Sequence, residues 1–218
     1  MGIFPDGNRR WARQRALVPW KGHGEAVKTC RELISWCRDD ARVGFLTLWG
    51  FSTENWNRGE REVAELMRIY EDFLRGEREQ FLKQGTRFVH SGRLDRVPVQ
   101  LAKIIKELVT ETLGQTQFVL NFALDYGGRD EVVRAVQKLG DPASVTEESF
   151  RQHLDHPELP DFDLIIRTSG EQRTSGFFVW QAAYAEWFFE DKFFPDLRPA
   201  DVARIVNGYS RRQRRFGS

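Results

Sequence analysis

Several things are scarce in this chain of 218 residues, and each scarcity narrows its function. There are two cysteines, Cys30 and Cys37. They lie seven residues apart in a segment of helical period, so they share a face, cannot form an ordinary disulfide and match no metal motif. They read as reduced core residues, which fits a cytoplasmic setting. No run of 18 or more apolar residues occurs, so no membrane span is predicted. Charge begins at Asp6, before the apolar stretch of a leader could form. Neither sign of charge is in excess, with 33 Lys and Arg against 32 Asp and Glu. A general nucleic-acid binder usually carries a basic surplus, so no nucleic-acid partner is expected. The phosphate signatures GxxxxGK[ST] and GxGxxG are missing, which disfavours a P-loop kinase and a dinucleotide enzyme. Internal repeats, low-complexity tracts and a clear linker are also missing.

What is present is an alternation of short apolar runs and helical stripes. The apolar content of 40% and aromatic content of 13% provide for a substantial core in one domain, 1–218. Runs of buried-strand type lie at 3–4, 44–51, 86–90, 117–124 and 161–166. A basic, helical run begins at Arg9. A helix is predicted after Gly24, with Ala26, Val27, Cys30, Leu33, Ile34 and Cys37 on its stripe. A long one spans 59–83, with Val63, Leu66, Met67, Tyr70, Phe73 and Leu74 inward. Such stripes are core, or they line a channel for an apolar substrate; periodicity does not separate the two. Further helices follow Pro98 (Leu101, Ile104, Ile105 and Leu108 inward) and Arg129 (Val132, Val133, Val136 and Leu139 inward). The run Ser144-Val145-Thr146-Glu147 resembles a capping box for a short helix. A last helix turns Val202, Ile205, Val206 and Tyr209 inward before a basic tail. This β-α order predicts an α/β layer fold with a central, mostly parallel sheet flanked by helices.

The unusual residues sit at strand ends. After 161–166 comes Arg167-Thr168-Ser169-Gly170-Glu171-Gln172-Arg173-Thr174-Ser175. Ligands of open α/β sheets bind at that edge, and guanidinium groups bond phosphate with paired N–H donors. On its own the stretch reads equally as a solvated, incidentally charged loop. Asp6-Gly7-Asn8 is turn chemistry, and it could also offer a carboxylate to Mg²⁺ shared with substrate phosphates. His23 stands between two glycines, just before the predicted helix start. In a parallel sheet these ends share one edge, which would gather Asp6, Asn8, Arg10, Arg58, Arg167 and Arg173 into one cleft. That is more cationic charge than one phosphate needs. Two diphosphates beside aromatic residues suggest a transfer in which diphosphate leaves an allylic carbon. In the aromatic run 176–189, Glu186 needs a cation, a donor or a metal.

Seven blocks in order resemble the cis-prenyltransferase family (undecaprenyl diphosphate synthase-like). They are Asp6 to Trp11, Gly22-His23, Phe51 to Arg58, Asn121 to Arg129, Arg167 to Arg173 with Ser175, Trp180 to Glu186, and Arg215-Phe216-Gly217. The resemblance implies a single α/β domain with an apolar tunnel. The implied reaction condenses isopentenyl diphosphate with an allylic diphosphate, with Mg²⁺, to a Z-polyprenyl diphosphate. Asp6 would hold the metal and the allylic diphosphate, and Glu186 would be a second metal-site acid. Asn8 and Ser52 would join Asp6 in the chemistry. Gly7, Arg10, Trp11 and His23 would line the first pocket. Phe51, Glu54, Asn55, Trp56 and Arg58 would position the reacting ends. Arg167, Glu171, Arg173 and Ser175 would bind isopentenyl diphosphate. In a homodimer, the tail 207–218 would carry Arg215 and Gly217 to the partner's site. A cytoplasmic enzyme, touching membrane peripherally to release product, is implied. The other reading of the resemblance is a catalytically silent accessory subunit. Such a subunit is expected to lose Asp6 or the Arg-Phe-Gly tail, and neither is lost. Pro19 and Gly176 depart from the family pattern. A small residue at Gly50 and the full-length 59–83 helix point to a medium or long product.

Overall fold

Residues 1–212 are described by the computed structural model, and the expected alternation becomes a sheet of six strands in which every neighbouring pair runs parallel. The strands are β1 (Gly2–Phe4), β2 (Phe45–Ser52), β3 (Thr86–Ser91), β4 (Phe118–Tyr126), β5 (Leu164–Arg167) and β6 (Glu186–Phe189). They lie in the order β3-β4-β2-β1-β5-β6. Among the described residues seven helices flank them: α1 (Asn8–Gln14), α2 (Pro19–Asp39), α3 (Glu60–Lys83), α4 (Val99–Glu111), α5 (Gly128–Lys138), α6 (Glu147–Arg151) and α7 (Pro199–Ser210). Every residue of β4 is buried, as a parallel strand covered on both faces requires.

The main core joins one sheet face to the stripes of α2, α3, α4 and α7, through residues such as Leu33, Leu66, Leu101 and Val202. On the other face Trp49, Tyr126, Phe162, Phe177 and Phe178 form a second, aromatic cluster.

Four local expectations are corrected. First, α2 begins at Pro19, so His23 lies inside its early turns rather than before the helix. Proline suits the first helical position, and Gly22 is there because α1 crosses closely. A Cβ on Gly22 would stand 2.0 Å from the Asn8 carbonyl oxygen. Second, α5 turns Glu131 and Ala135 inward and leaves Val133 and Val136 exposed. The hydrogen bonds made by the Glu131 carboxylate set the helix phase, against the valine pattern. Third, β6 emerges from an aromatic run that shows no alternation, because its residues are half-buried on both sides. Fourth, the apolar stripe of α7 carries the helix to Ser210, so 207–210 are its last turn and not part of a tail.

Candidate functional site

Parallel pairing brings the C-terminal ends of β1, β2, β4 and β5 to one edge, where Phe4 aligns with Arg167 and Ser52 with Tyr126. The chain leaving β1 turns at once into α1. Gly7 makes that turn with φ +93°, and a Cβ there would meet the Phe193 ring at 2.5 Å. Asp6 is fixed in the turn from both ends. Its backbone N–H donates to Thr168 Oγ1 (2.8 Å), and its side-chain Oδ1 accepts from Gly7 N–H (2.7 Å).

Arg167, at the end of β5, is almost wholly buried, and its Nη2 meets Asp6 Oδ2 at 2.8 Å. Its guanidinium carbon stands 4.0 Å from the centre of the Phe4 ring. Nη1 donates to Ser175 Oγ (2.9 Å) and to the Arg173 carbonyl. The loop folds back far enough for this because Ser169, Gly170, Ser175 and Gly176 all take positive φ. The outer rim is a charge chain in which Glu171 joins Arg10 (2.9 Å) to Arg173. Arg10 also donates to Ser169 Oγ (2.5 Å).

Two connected spaces open here. One, of about 350 Å³, is polar and lined by Asp6, Gly7, Asn8, Arg9, Arg10, Arg13, His23, Arg58, Glu171 and Arg173. The other, of about 460 Å³, shares Asp6, Asn8, His23 and Arg58 at its mouth. It runs inward past Ser52, Glu54, Asn55 and Ser175 to Ala26, Val27, Cys30, Leu48, Tyr70, Phe73 and Phe122. So the two stripes that periodicity left ambiguous divide. Ala26, Val27, Cys30, Tyr70 and Phe73 line the cavity, whereas Leu33, Ile34, Cys37, Leu66 and Leu74 fill the core.

Asn8 and His23 form a pair at the junction. The Asn8 amide donates to His23 Nδ1 (3.3 Å), which leaves the imidazole hydrogen on Nε2. Burial, aided by Arg58 and Arg9, lowers the His23 pKa to about 3, so the ring is neutral. His23 Nε2 and Asn8 Oδ1 are both buried without a partner among the described residues. One donor and one acceptor therefore wait, unpaired, in the cavity wall.

A 3-10 turn at Thr53–Asn57 presents Glu54 and Asn55, with Ser52 as its cap. Asp125, fully buried with φ +51°, anchors that turn by accepting from Trp56 Nε1 (2.8 Å) and from Arg96 (2.8 and 2.5 Å). Asp125 and Thr168 hold the site together without a local signal of that role in the sequence. Asp125 lies within a recognised block, but its role depends on Arg96 arriving from a distant loop.

Among the described residues, neither space is lined by Trp11, Phe51, Trp56 or Arg167, the last of which lies buried behind Asp6 and Ser175. Trp11 donates its indole N–H to Asp196 (2.8 Å) and so ties α1 to the loop before α7. Phe51 and Trp56 pack edge to face, 5.0 Å apart, behind the 3-10 turn. Glu186 is not brought to Asp6. It opens β6 level with Leu164, at the opposite edge of the sheet, and pairs with Arg212 (2.7 Å). Gly50 does not leave room, because a Cβ there would sit 2.6 Å from the Phe122 ring. Arg215 and Gly217 lie outside the described residues.

No group of three His, Cys, Asp or Glu among the described residues could hold a metal by itself. Asp6 offers one partly exposed carboxylate at the cavity mouth. That donor set fits Mg²⁺, which is commonly held by one or two carboxylates together with substrate phosphates.

Comparisons with known proteins agree with this geometry. The prenyltransferase family model described as undecaprenyl diphosphate synthase matches residues 4–217. An isoprenyl transferase of Aquifex aeolicus is 41% identical, over 100% of this chain and 94% of its own length. A tritrans,polycis-undecaprenyl-diphosphate synthase (geranylgeranyl-diphosphate specific) of Thermococcus kodakarensis is 38% identical, over 100% of this chain and 86% of its own. Among solved structures, lavandulyl diphosphate synthase from Lavandula x intermedia, in complex with dimethylallyl diphosphate, superposes with a TM-score of 0.95 at 34% identity. That match covers 100% of this chain and 97% of the other. A probable undecaprenyl diphosphate synthase from Campylobacter jejuni gives 0.82 at 31% identity, with the same coverage.

Proposed function

Since the chain belongs to the undecaprenyl diphosphate synthase family of prenyltransferases and is an isoprenyl transferase of prenyl chain elongation, we propose the following reaction for it. It condenses isopentenyl diphosphate with an allylic diphosphate, with Mg²⁺, and forms a Z-polyprenyl diphosphate. The allylic C1–O bond breaks and diphosphate leaves with the electron pair. The terminal alkene carbon of isopentenyl diphosphate bonds to C1, and a proton leaves its C2.

The observation that carries this reading is the junction itself. A polar pocket rich in arginine opens directly into an apolar cavity, with the Asp6 carboxylate at the join. A diphosphate with an apolar tail has that division of character. In this reading Asp6 holds the ion, which when bound neutralises charge on the departing diphosphate. Gly7, Asn8, Arg10, His23 and Arg58 bind that diphosphate, His23 through its Nε2–H. Asn8 Oδ1 is the free acceptor nearest the proton-removal step. Arg167, Arg173 and Ser175 take the second diphosphate, with Glu171 orienting Arg173 and Arg10. Arg167 thus supplies fixed charge without the freedom to reorganise. Ser52, Glu54 and Asn55 face the reacting ends from the 3-10 turn.

We also propose that two copies associate and that the C-terminal residues complete the partner's site. The protein would act in the cytoplasm and meet the membrane surface to release an apolar product. Among the described residues no helix is long and apolar enough to cross a membrane.

The test supplies labelled isopentenyl diphosphate with dimethylallyl, geranyl, farnesyl or geranylgeranyl diphosphate, with Mg²⁺ or with chelator. Extracted product with new cis double bonds, formed only with the metal, is expected. Failure with every primer would overturn the reading and favour a silent accessory subunit.

A further inference from the structure

Among the described residues, the lining of the inner cavity stops partway along α2 and the sheet. On α2 its wall reaches Cys30, and on the sheet it reaches Leu48 and Phe122. One to two helical turns further in, Leu33, Ile34 and Cys37 belong to the same buried core cluster as Leu46, Leu74, Phe81, Phe118 and Leu120. None of these lines the cavity. The boundary is a layer of three aromatic rings. Phe122 stands 5.5 Å from Tyr70, edge to face, and 6.3 Å from Phe73. The layer is tied to the strand, because the Tyr70 hydroxyl donates to the Gly50 carbonyl at 2.5 Å. The missing side chain at Gly50 is what admits the Phe122 ring.

The depth can be bounded from element geometry. From His23 to Cys30 is seven residues of helix, or about 10 Å. From Ser52 to Leu48 is four residues of strand, or about 13 Å. An extended chain advances about 1.2 Å per backbone bond, judged from an extended peptide. An isoprene unit of four such bonds therefore needs about 5 Å. Two to three units fit between the cavity mouth and the aromatic layer.

We infer that Phe122, braced by Tyr70 and Phe73, is the floor that limits chain growth, and that the product is a short prenyl diphosphate of about three isoprene units. This rests on the elongation reading above and reverses the expectation of a medium or long product. A longer chain could pass only by displacing a packed aromatic ring, and interiors at crystal-like density resist that.

The experiment sizes the products of the full chain supplied with isopentenyl diphosphate and dimethylallyl diphosphate. The unaltered chain should stop at about three units. Phe122→Ala should lengthen the main product by at least one unit, and Phe122→Leu should do so to a smaller degree. Tyr70→Phe keeps the ring and should keep the length. A main product of ten or more units from the unaltered chain would overturn the floor, as would unchanged length in both Phe122 variants. If Phe122→Ala fails to fold, Phe122→Leu carries the test. A second measurement does not need turnover: melting shifts with prenyl diphosphates of graded length. Stabilisation should peak near three units and peak later in Phe122→Leu. If no primer gives product but this peak is found, the elongation reading fails while the floor stands. If stabilisation rises steadily with length, the floor itself is wrong.

Discussion

Two groups of buried polar side chains lie on opposite faces of the sheet, and they differ in what their titratable member leaves unpaired. Behind the sheet, Glu131 is buried and burial raises its pKa, yet both its oxygens accept hydrogen bonds. The donors are Tyr126 (2.5 Å), Gln181 (3.2 Å) and the Asp155 backbone N–H (3.1 Å). Asp155 in turn pairs with Arg134 and accepts from Gly92 N–H. In front of the sheet, Asn8 and His23 meet each other but keep one acceptor and one donor free in the wall of the cavity. Burial and a shifted pKa occur in both places, so neither marks function. Each group leaves one amide oxygen without a partner among the described residues, Gln181 Oε1 behind and Asn8 Oδ1 in front; the distinguishing feature is the titratable group itself, saturated at Glu131 and left with a free donor at His23.

The largest effect expected from breaking this contrast is at Asp6. Asp6→Ala should lower turnover by at least about 10³-fold, since it removes the metal-holding carboxylate. It should also lower stability by about 1–2 kcal/mol, because buried Arg167 loses its partner at 2.8 Å. Asp6→Asn should recover part of the stability and none of the turnover. Steady-state kinetics beside thermal melting separates the two losses, and near-normal activity in Asp6→Ala would refute the assigned role. Next comes Asn8→Ala. It deletes an orphaned acceptor and with it the donor to His23 Nδ1, so turnover should fall roughly 10²-fold while stability falls by no more than about 1 kcal/mol. A large loss of stability there would mean that Asn8 is structural and the contrast false. Asp155→Ala should do the reverse, lowering stability by about 2–3 kcal/mol with the rate per folded molecule nearly unchanged.

The smallest effect concerns pH. Burial holds His23 at about 3 and His90 at about 4, well under the usual value near 6.5. Between pH 6.5 and about 4 the unfolded chain takes up protons that the folded chain refuses, so stability falls as pH drops through that window. Melting temperature should fall by a few degrees from pH 7 to pH 5. His90 Nε2–H donates to the Leu124 carbonyl at 3.1 Å, and His90→Gln, which can keep that donor, should reduce the fall. An unchanged slope in that variant would remove His90 from the explanation.

Much of this was legible in one dimension. The strands at 44–51 and 117–124 are apolar runs of strand length bounded by turn residues, and they became β2 and β4 to within a residue or two. The helices carried readable stripes wherever the buried face was apolar. The misreadings came where another force set the phase. In α5 a hydrogen-bonded carboxylate outweighed two valines, and at Gly22 the approach of α1 made a helix out of a loop-like Gly-His-Gly. Trp11, Phe51 and Trp56 sit in recognisable blocks, but their contacts face away from the cavity.

By itself the sequence determined the fold class, the parallel order of elements and the chemical character of the strand ends. Those follow from periodicity and residue type, which are local properties. Only the tertiary structure decided which stripe residues meet a void and which meet each other. It also decided that Arg167 lies beneath Asp6 while Glu186 lies at the far edge. Above all it decided that the space beside Gly50 belongs to the Phe122 ring. Each of these is a distance between residues far apart in the chain, and packing sets such distances only once all the elements are in place.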